Sequence, residues 1–359
     1  MRSLFLLFVV FIIGCDTSVS DNEKVSENSR IAKWYNNHTS AITLTHDNPA
    51  SFSSVNKELQ NILELHSLTM DYELVTNRSD PYSISPHGVA YLRDTLNSLG
   101  FGYFGHGDKH DDHDGLSYFE AYQSFKACYD SMSLWGLEPI AYAYPYGAGR
   151  KKKTQQALKD AGFLSGRAFT SDNEQVPSFH IMAGDKSIPN NWFLLPTLRM
   201  ESIDFNNNDN MINDDQELCG YLDESLELGS WLILTYHALA SDGWGYTTKK
   251  DFIENVVSIS QRDFWNASLN EITLYTYERA SCSVEIDSSY TDTLRVKLTD
   301  AYSDNQKFSQ PLTVILTAMQ PHTEYLLTQG EFTTTLLSQN DTLLANLLPN
   351  EQWYTITLK

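Results

Sequence analysis

Basic side chains are scarce in this 359-residue chain: 25 lysines and arginines face 46 aspartates and glutamates, a net charge of −21. Such a surface repels phosphate backbones and anionic membrane faces, which excludes nucleic-acid binding. Cysteine is sparse as well, at four. One of them, Cys15, ends an apolar leader. Cys128, Cys219 and Cys282 are an odd set at spacings that match no zinc or redox motif, and nothing selects a disulfide pair among them. Beyond the leader no apolar stretch is long enough to cross a bilayer. There is no internal repeat and no low-complexity tract.

Apolar residues make up 41% of the chain and aromatics 12%, enough for a packed globular protein. The length exceeds what one hydrophobic core organises, so two domains are expected. The many tyrosine, phenylalanine and tryptophan rings suit core packing, and they equally suit stacking on pyranose faces. At the N-terminus, Arg2 precedes an apolar run over 4–13, and Gly14-Cys15 follows. The run has the length of a signal-peptide core. It resembles the bacterial lipoprotein signal, which implies cleavage before Cys15, lipidation of its thiol and a cell-envelope location. Residues 1–15 are then the signal and residues 16–31, polar and without large apolar groups, a flexible tether. Membrane contact is expected through the lipid anchor only.

From 40 to 280, short β-like runs alternate with amphipathic helical ones. Strands are expected at 41–45, 72–75, 101–104, 139–144, 163–169 and 231–235. Helices are expected at 55–68, 87–99, 117–135, 152–161, 214–228 and 252–259. This alternation implies parallel pairing. Six or seven such units over that length suit an α/β fold, a distorted or incomplete (β/α) barrel, whose reactive groups gather at the C-terminal strand ends. From 281 to 359 the pattern becomes short β-rich runs separated by Gly, Asn, Asp and Pro, as in a small all-β sandwich. The expected domains are thus 32–280 and 281–359.

Polar groups fall at the strand ends. The first set is Thr45-His46-Asp47-Asn48, and the second is His106-Gly-Asp108-Lys-His110 with His113 close behind. Imidazoles four apart, backed by a carboxylate from another strand, suit zinc or a similar divalent ion. The same residues also suit a solvated acidic loop. Tyr144-Pro145-Tyr146-Gly147 forms a turn after a strand, and the apolar run 232–236 delivers His237.

In order and spacing these pieces resemble the polysaccharide deacetylase (NodB homology) family over 40–280. Thr45-His46-Asp47-Asn48 stands for its Thr-Phe-Asp-Asp, and His106-Gly-Asp-Lys-His110 for its His-Ser/Thr-x-x-His. Ala143-Tyr-Pro145-Tyr146-Gly147 stands for its Arg-x-Pro-Tyr-Gly, and Leu234-Thr-Tyr-His237 for its Leu-x-His. The resemblance implies a metal-dependent hydrolase acting on an acetylated carbohydrate, most directly an N-deacetylase. Asp47 would be the base and His237 the acid, while Asn48, His106 and His110 hold a divalent ion, zinc first. Tyr144, Tyr146 and Trp244 are candidates for binding sugar. The sequence departs from the pattern at Asn48, which replaces a metal-binding Asp, and at Ala143, which replaces an Arg. His46, Asp108 and His113 are further candidate ligands or bases. A non-catalytic carbohydrate-binding protein on the same barrel is the alternative.

Overall fold

The computed structural model describes residues 29–47, 52, 54–169, 178–182, 189, 191–203, 212, 214–240, 245–290, 292–302 and 307–359. The leader with Cys15, most of the tether, Asn48 and Trp244 lie outside the described residues.

In chain order the first part comprises β1 (Arg30–Ile31), β2 (Ser40–His46), α1 (Ser54–Leu65), β3 (Asp71–Leu74), α2 (Pro86–Tyr91), β4 (Gly102–Gly105), α3 (Tyr118–Leu134) and β5 (Ala141–Ala143). It continues with α4 (Lys152–Ala161), β6 (Ser165–Arg167), β7 (Leu198–Arg199), α5 (Asp215–Leu228), β8 (Trp231–Tyr236), α6 (Lys249–Ser260), β9 (Phe264–Asn266) and α7 (Leu269–Ser281). Strand neighbours run β6-β5-β4-β3-β2-β8-β7, with β9 also on β2, and every pair is parallel. Leu195 pairs with Arg167 of β6, while Leu198 and Arg199 pair with β8. One short segment therefore ties both edges of the sheet into an incomplete barrel, the architecture expected from the alternation.

Alternation along each strand decides what faces where. On β2, Ile42 and Leu44 pack outward against the helices, and Ala41 packs inward. Thr43 and Thr45 look inward too: Thr43 Oγ1 accepts from Trp231 Nε1 at 3.1 Å, and Thr45 Oγ1 lies 3.1 Å from Thr235 Oγ1. The helices begin where their caps allow. Ser117 with Glu120 and Ser268 with Glu271 form capping boxes at α3 and α7, each cap contributing about 1 kcal/mol.

The helix expected over 87–99 is interrupted. It becomes a wide turn over Leu92–Leu96, which keeps both leucines buried, and a tight one over Asn97–Leu99. Gly100, at φ 87°, ends it in the left-handed conformation that glycine adopts without a Cβ penalty.

After α7 come β10 (Ser283–Tyr290), β11 (Thr293–Thr299), β12 (Leu312–Thr317), β13 (Glu324–Gln329), β14 (Phe332–Leu337), β15 (Thr342–Leu347) and β16 (Trp353–Leu358). They form a five-stranded antiparallel sheet, β10-β11-β16-β13-β14, and a three-stranded one, β1-β12-β15. Leu294, Val296 and Leu298 alternate inward from β11 to meet Val314 and Leu316 of β12 in a shared core. Arg30 and Ile31, expected in the tether, instead pair with Ile315 and Val314. Packing half-buried Ile31 against this core outweighs the freedom of a polar tail. Among the described residues no helix is long and apolar enough to cross a membrane.

Candidate active site

The C-terminal strand ends surround a cavity of about 480 Å³ lined by Asp47, Glu73, His106, His110 and His237, with Tyr82, Tyr144, Tyr146, Phe169 and Arg199. A larger hollow, about 640 Å³, lies around the N-terminal end of β4 and the start of α7, among Asn97, Tyr103, Glu138, Asn270, Lys307 and Gln310. It has no histidine in its lining.

Asp47 follows β2 and is buried. Its Oδ1 accepts from Arg167 Nη2 at 2.5 Å. Arg167 ends β6, and its guanidinium lies 5.2 Å from the Phe104 ring and 5.7 Å from Phe169. The cation that holds Asp47 thus comes from β6, one strand beyond Ala143.

His106 follows β4. Its Nδ1 donates to the Ala143 carbonyl at 2.9 Å. A carbonyl can only accept, so the proton sits on Nδ1 and the lone pair of the neutral ring on Nε2. Nε2 in turn faces Glu73 Oε2 at 3.2 Å, with both side chains 4% exposed. Burial drives the His106 pKa well below the ordinary value, and His110 and Arg167 add to this. A neutral nitrogen thus looks at a carboxylate.

His110 stands 4.9 Å from the His106 ring, between Tyr82 at 4.7 Å and Tyr146 at 4.6 Å. Its backbone N–H donates to Asp80 Oδ2 at 3.0 Å. Its buried Nδ1 meets no hydrogen-bond partner among the described residues. Burial lowers its pKa as well. Tyr146, held at φ 58° between Pro145 and Gly147, keeps its ring 65% exposed at the mouth. Tyr144 lines the wall, and its hydroxyl donates to the Phe193 carbonyl at 3.1 Å. That leaves it the ring rather than the hydroxyl to offer.

Three candidates fall outside the cavity lining. His46 points the other way from Asp47, as neighbouring residues on a strand must, and meets Tyr72 edge-on at 6.0 Å. Burial brings its pKa down to about 4. His113 lies beneath α3, stacked on Phe125 at 4.4 Å, with Nε2 2.9 Å from Ser124 Oγ. Asp108 accepts from Thr76 Oγ1 at 3.3 Å and from Asn77 Nδ2 at 2.9 Å, bracing one loop against the next. Asn48 and Trp244, as noted, are not among the described residues.

Among the described residues no three His, Cys, Asp or Glu side chains are gathered at coordinating distance. The cavity nevertheless contains donor types that divalent cations take. A lone-pair nitrogen faces a carboxylate, and a second imidazole nitrogen nearby is buried without a partner. Glu73, Arg167, Tyr82, Phe169 and Arg199 were not anticipated from the sequence. For Glu73 a signal existed: Asp71 and Glu73 alternate with Tyr72 and Leu74, which puts both carboxylates on the inner face of β3.

No protein-family model matches the chain, and no curated protein matches its sequence. Among solved structures it is similar to a Mycobacterium smegmatis protein assigned as a polysaccharide deacetylase, at 14% identity and a TM-score of 0.46 over 68% of this chain and 92% of that one. It is also similar to a family 4 carbohydrate esterase from Streptomyces lividans solved with acetate, at 13% identity and a TM-score of 0.39 over 62% and 88%. A third is a family 4 acetyl xylan esterase from Clostridium thermocellum solved with a cobalt ion, at 10% identity and a TM-score of 0.41 over 65% and 89%.

Proposed function

We propose that this chain is a metal-dependent hydrolase that removes acetyl groups from the amino groups of a carbohydrate. The observation that carries the reading is the meeting of Asp47, His106, His110 and His237, from three separate strand ends, around one cavity with tyrosines in its wall and at its mouth. Its volume of about 480 Å³ falls in the range of small-ligand pockets, about 300–1,000 Å³.

In this reading His106 and His110 hold the divalent ion, zinc first. A bound ion of that kind supplies Lewis-acid stabilisation of charge on the acetamide oxygen and on water. Asp47, oriented by Arg167, removes the proton from the attacking water. His237, also in the lining, returns a proton to the departing amine, so the products are acetate and a free amino sugar. Each proton transfer contributes about 10²–10⁴-fold. Tyr146 and Tyr82 offer exposed ring faces to a pyranose.

The lipid on Cys15 would hold the protein at the cell envelope, close to a surface glycan; replacement by serine should release it from the membrane fraction. The activity is tested by acetate release from a panel of N- and O-acetylated glycans, run beside metal analysis of the same preparation. Release that needs the metal and His237 supports the reading. Glycan binding without release favours the non-catalytic alternative.

A further inference from the structure

Among the described residues of the cavity lining, Arg199 is the one arginine or lysine. It ends β7, an edge of the sheet, and pairs in register with Thr235 of β8, two residues before His237. Residues two apart on a strand share a face, so Arg199 enters the cavity from the His237 side. Arg167 ends β6, the opposite edge. Phe169 reaches both cations, 4.9 Å from the guanidinium of Arg199 and 5.7 Å from that of Arg167. Where the barrel is incomplete, the cavity wall is therefore an aromatic ring and the arginine beside it.

Each cation already has a carboxylate. Arg167 meets Asp47, and Arg199 Nη2 donates to Glu201 Oε1 at 2.7 Å. The charge of Arg199 is thus met, but its donors are not. A guanidinium carries five N–H groups, and this bond uses one. Nε is buried without a partner among the described residues. Nη1 has no partner among them either and stays accessible, on a side chain 18% exposed. The acceptor that might have balanced these donors is walled off. Glu201 Oε2 is buried without a partner, and a Cβ placed on Gly245 would lie 2.5 Å from it. This wall offers a ring face and N–H donors, with no acceptor between them. A hydroxyl would bring a proton that finds no acceptor there, whereas a group that only accepts fits. Among such groups a carboxylate gains most, since hydrogen bonds between ionised groups are about twice as strong as neutral ones.

We propose that Arg199 is a specificity-determining residue that takes a carboxylate carried by the substrate sugar. The substrate class is then an N-acetylated carbohydrate with an acidic substituent, such as a uronic acid or a carboxyalkyl ether. The inference rests on the deacetylase reading and deepens it. Glu201 is a positioning residue: it fixes the guanidinium from inside the wall, and Phe169 backs it.

The test uses the full-length protein and two probes of one shape. One is an N-acetylated oligosaccharide bearing a carboxylate, and the other is its carboxamide counterpart. Affinity is measured by calorimetry at pH 7, beside acetate release from the same probes. The wild type should bind the carboxylate about tenfold more tightly. In a chain of net charge −21, long-range attraction cannot produce that preference. Where acetate is released, the difference should appear in KM rather than kcat. Arg199→Gln should bind the two probes equally, and Arg199→Lys should keep part of the preference. Arg199→Gln leaves Glu201 buried and unpaired. If that variant does not fold, the double variant with Glu201→Gln takes its place.

Equal affinity of the wild type for both probes, or no binding of either, would overturn the proposal. So would a preference that survives Arg199→Gln or the double variant. Preferential binding of the carboxylate without acetate release would overturn the deacetylase reading and leave Arg199 as the carboxylate site.

Discussion

Arg167 Nη2 lies 2.5 Å from Asp47 Oδ1, and neither side chain is more than 6% exposed. The pair joins the end of β6 to the end of β2, with β5, β4 and β3 between them in the sheet. It brings a cation to Asp47 from β6, and in the proposed reaction that cation would orient the base. Phe104 and Phe169 flank the guanidinium, so it has little freedom to leave the carboxylate.

Removing one partner of a buried charge pair leaves the other uncompensated, at about 3–5 kcal/mol. Arg167→Met should therefore lower stability in urea unfolding by that amount. It should also lower acetate release about 10²-fold, since a base displaced by about 1 Å loses that much. The double variant with Asp47→Asn should recover part of the stability and none of the activity. Wild-type turnover in Arg167→Met would show that Asp47 needs no orientation from this residue.

His237 lines the cavity at the end of β8 and is assigned the acid role. His237→Ala should lower turnover about 10²–10⁴-fold while zinc affinity stays at the wild-type value. The measurement pairs steady-state kinetics with chelator competition on one preparation. Loss of metal binding in this variant would make His237 a ligand and leave the acid unassigned.

His113 is expected to act on stability alone. Burial brings its pKa down to about 4 from an ordinary 6.5. Between those values the unfolded chain binds a proton that the folded chain refuses, so stability is present above about pH 6.5 and lost as pH falls toward 4. His113→Phe keeps the stack on Phe125, gives up the Ser124 contact and removes the titration. Its stability relative to wild type should improve by up to about 3 kcal/mol from pH 7 to pH 4, at unchanged metal affinity. A constant difference across that range, or a loss of metal, would contradict this role.

Much of this was legible because the strands obey simple periodicities. The fully buried runs of β2 and β8 read as central parallel strands, and β11 shows its alternation of Leu294, Val296 and Leu298 with outward Arg295 and Lys297. Asp47, His106 and His237 reach the cavity lining because polar residues directly after such runs have one place to go, and His110 follows in the same loop as His106. His46 was retained as a candidate although the same period of two sends it to the opposite face from Asp47. Glu73 went unnoticed because 72–75 reads as a strand without asking which side its one charge takes. Arg167 could not be found locally, since its partner is 120 residues away. The two-residue β7 and the three-residue β9 are too short for any pattern, and β1 acquires its strand from a sheet built some 280 residues later.

Glu278 offers a test of the contact between the barrel and the β domain. It lies on α7, fully buried, and both carboxyl oxygens lie within 3.2 Å of the Gln310 backbone N–H, just before β12. Burial raises its pKa to about 8, with the Gln310 N–H opposing and Asp300 adding to the rise. The carboxyl is therefore neutral at pH 7. Here the folded chain holds a proton that the unfolded chain has released, so the sign is opposite to that of His113. The contribution is fully present below about pH 4.5 and is lost as pH rises through about 8. Glu278→Gln keeps an oxygen to accept from Gln310 and cannot ionise. Thermal unfolding from pH 5 to pH 9 should show the wild type losing a few kcal/mol relative to this variant, with the change complete above pH 8. If the two proteins keep a constant difference over that range, Glu278 is ionised in the folded chain and the contact with β12 is made by a carboxylate.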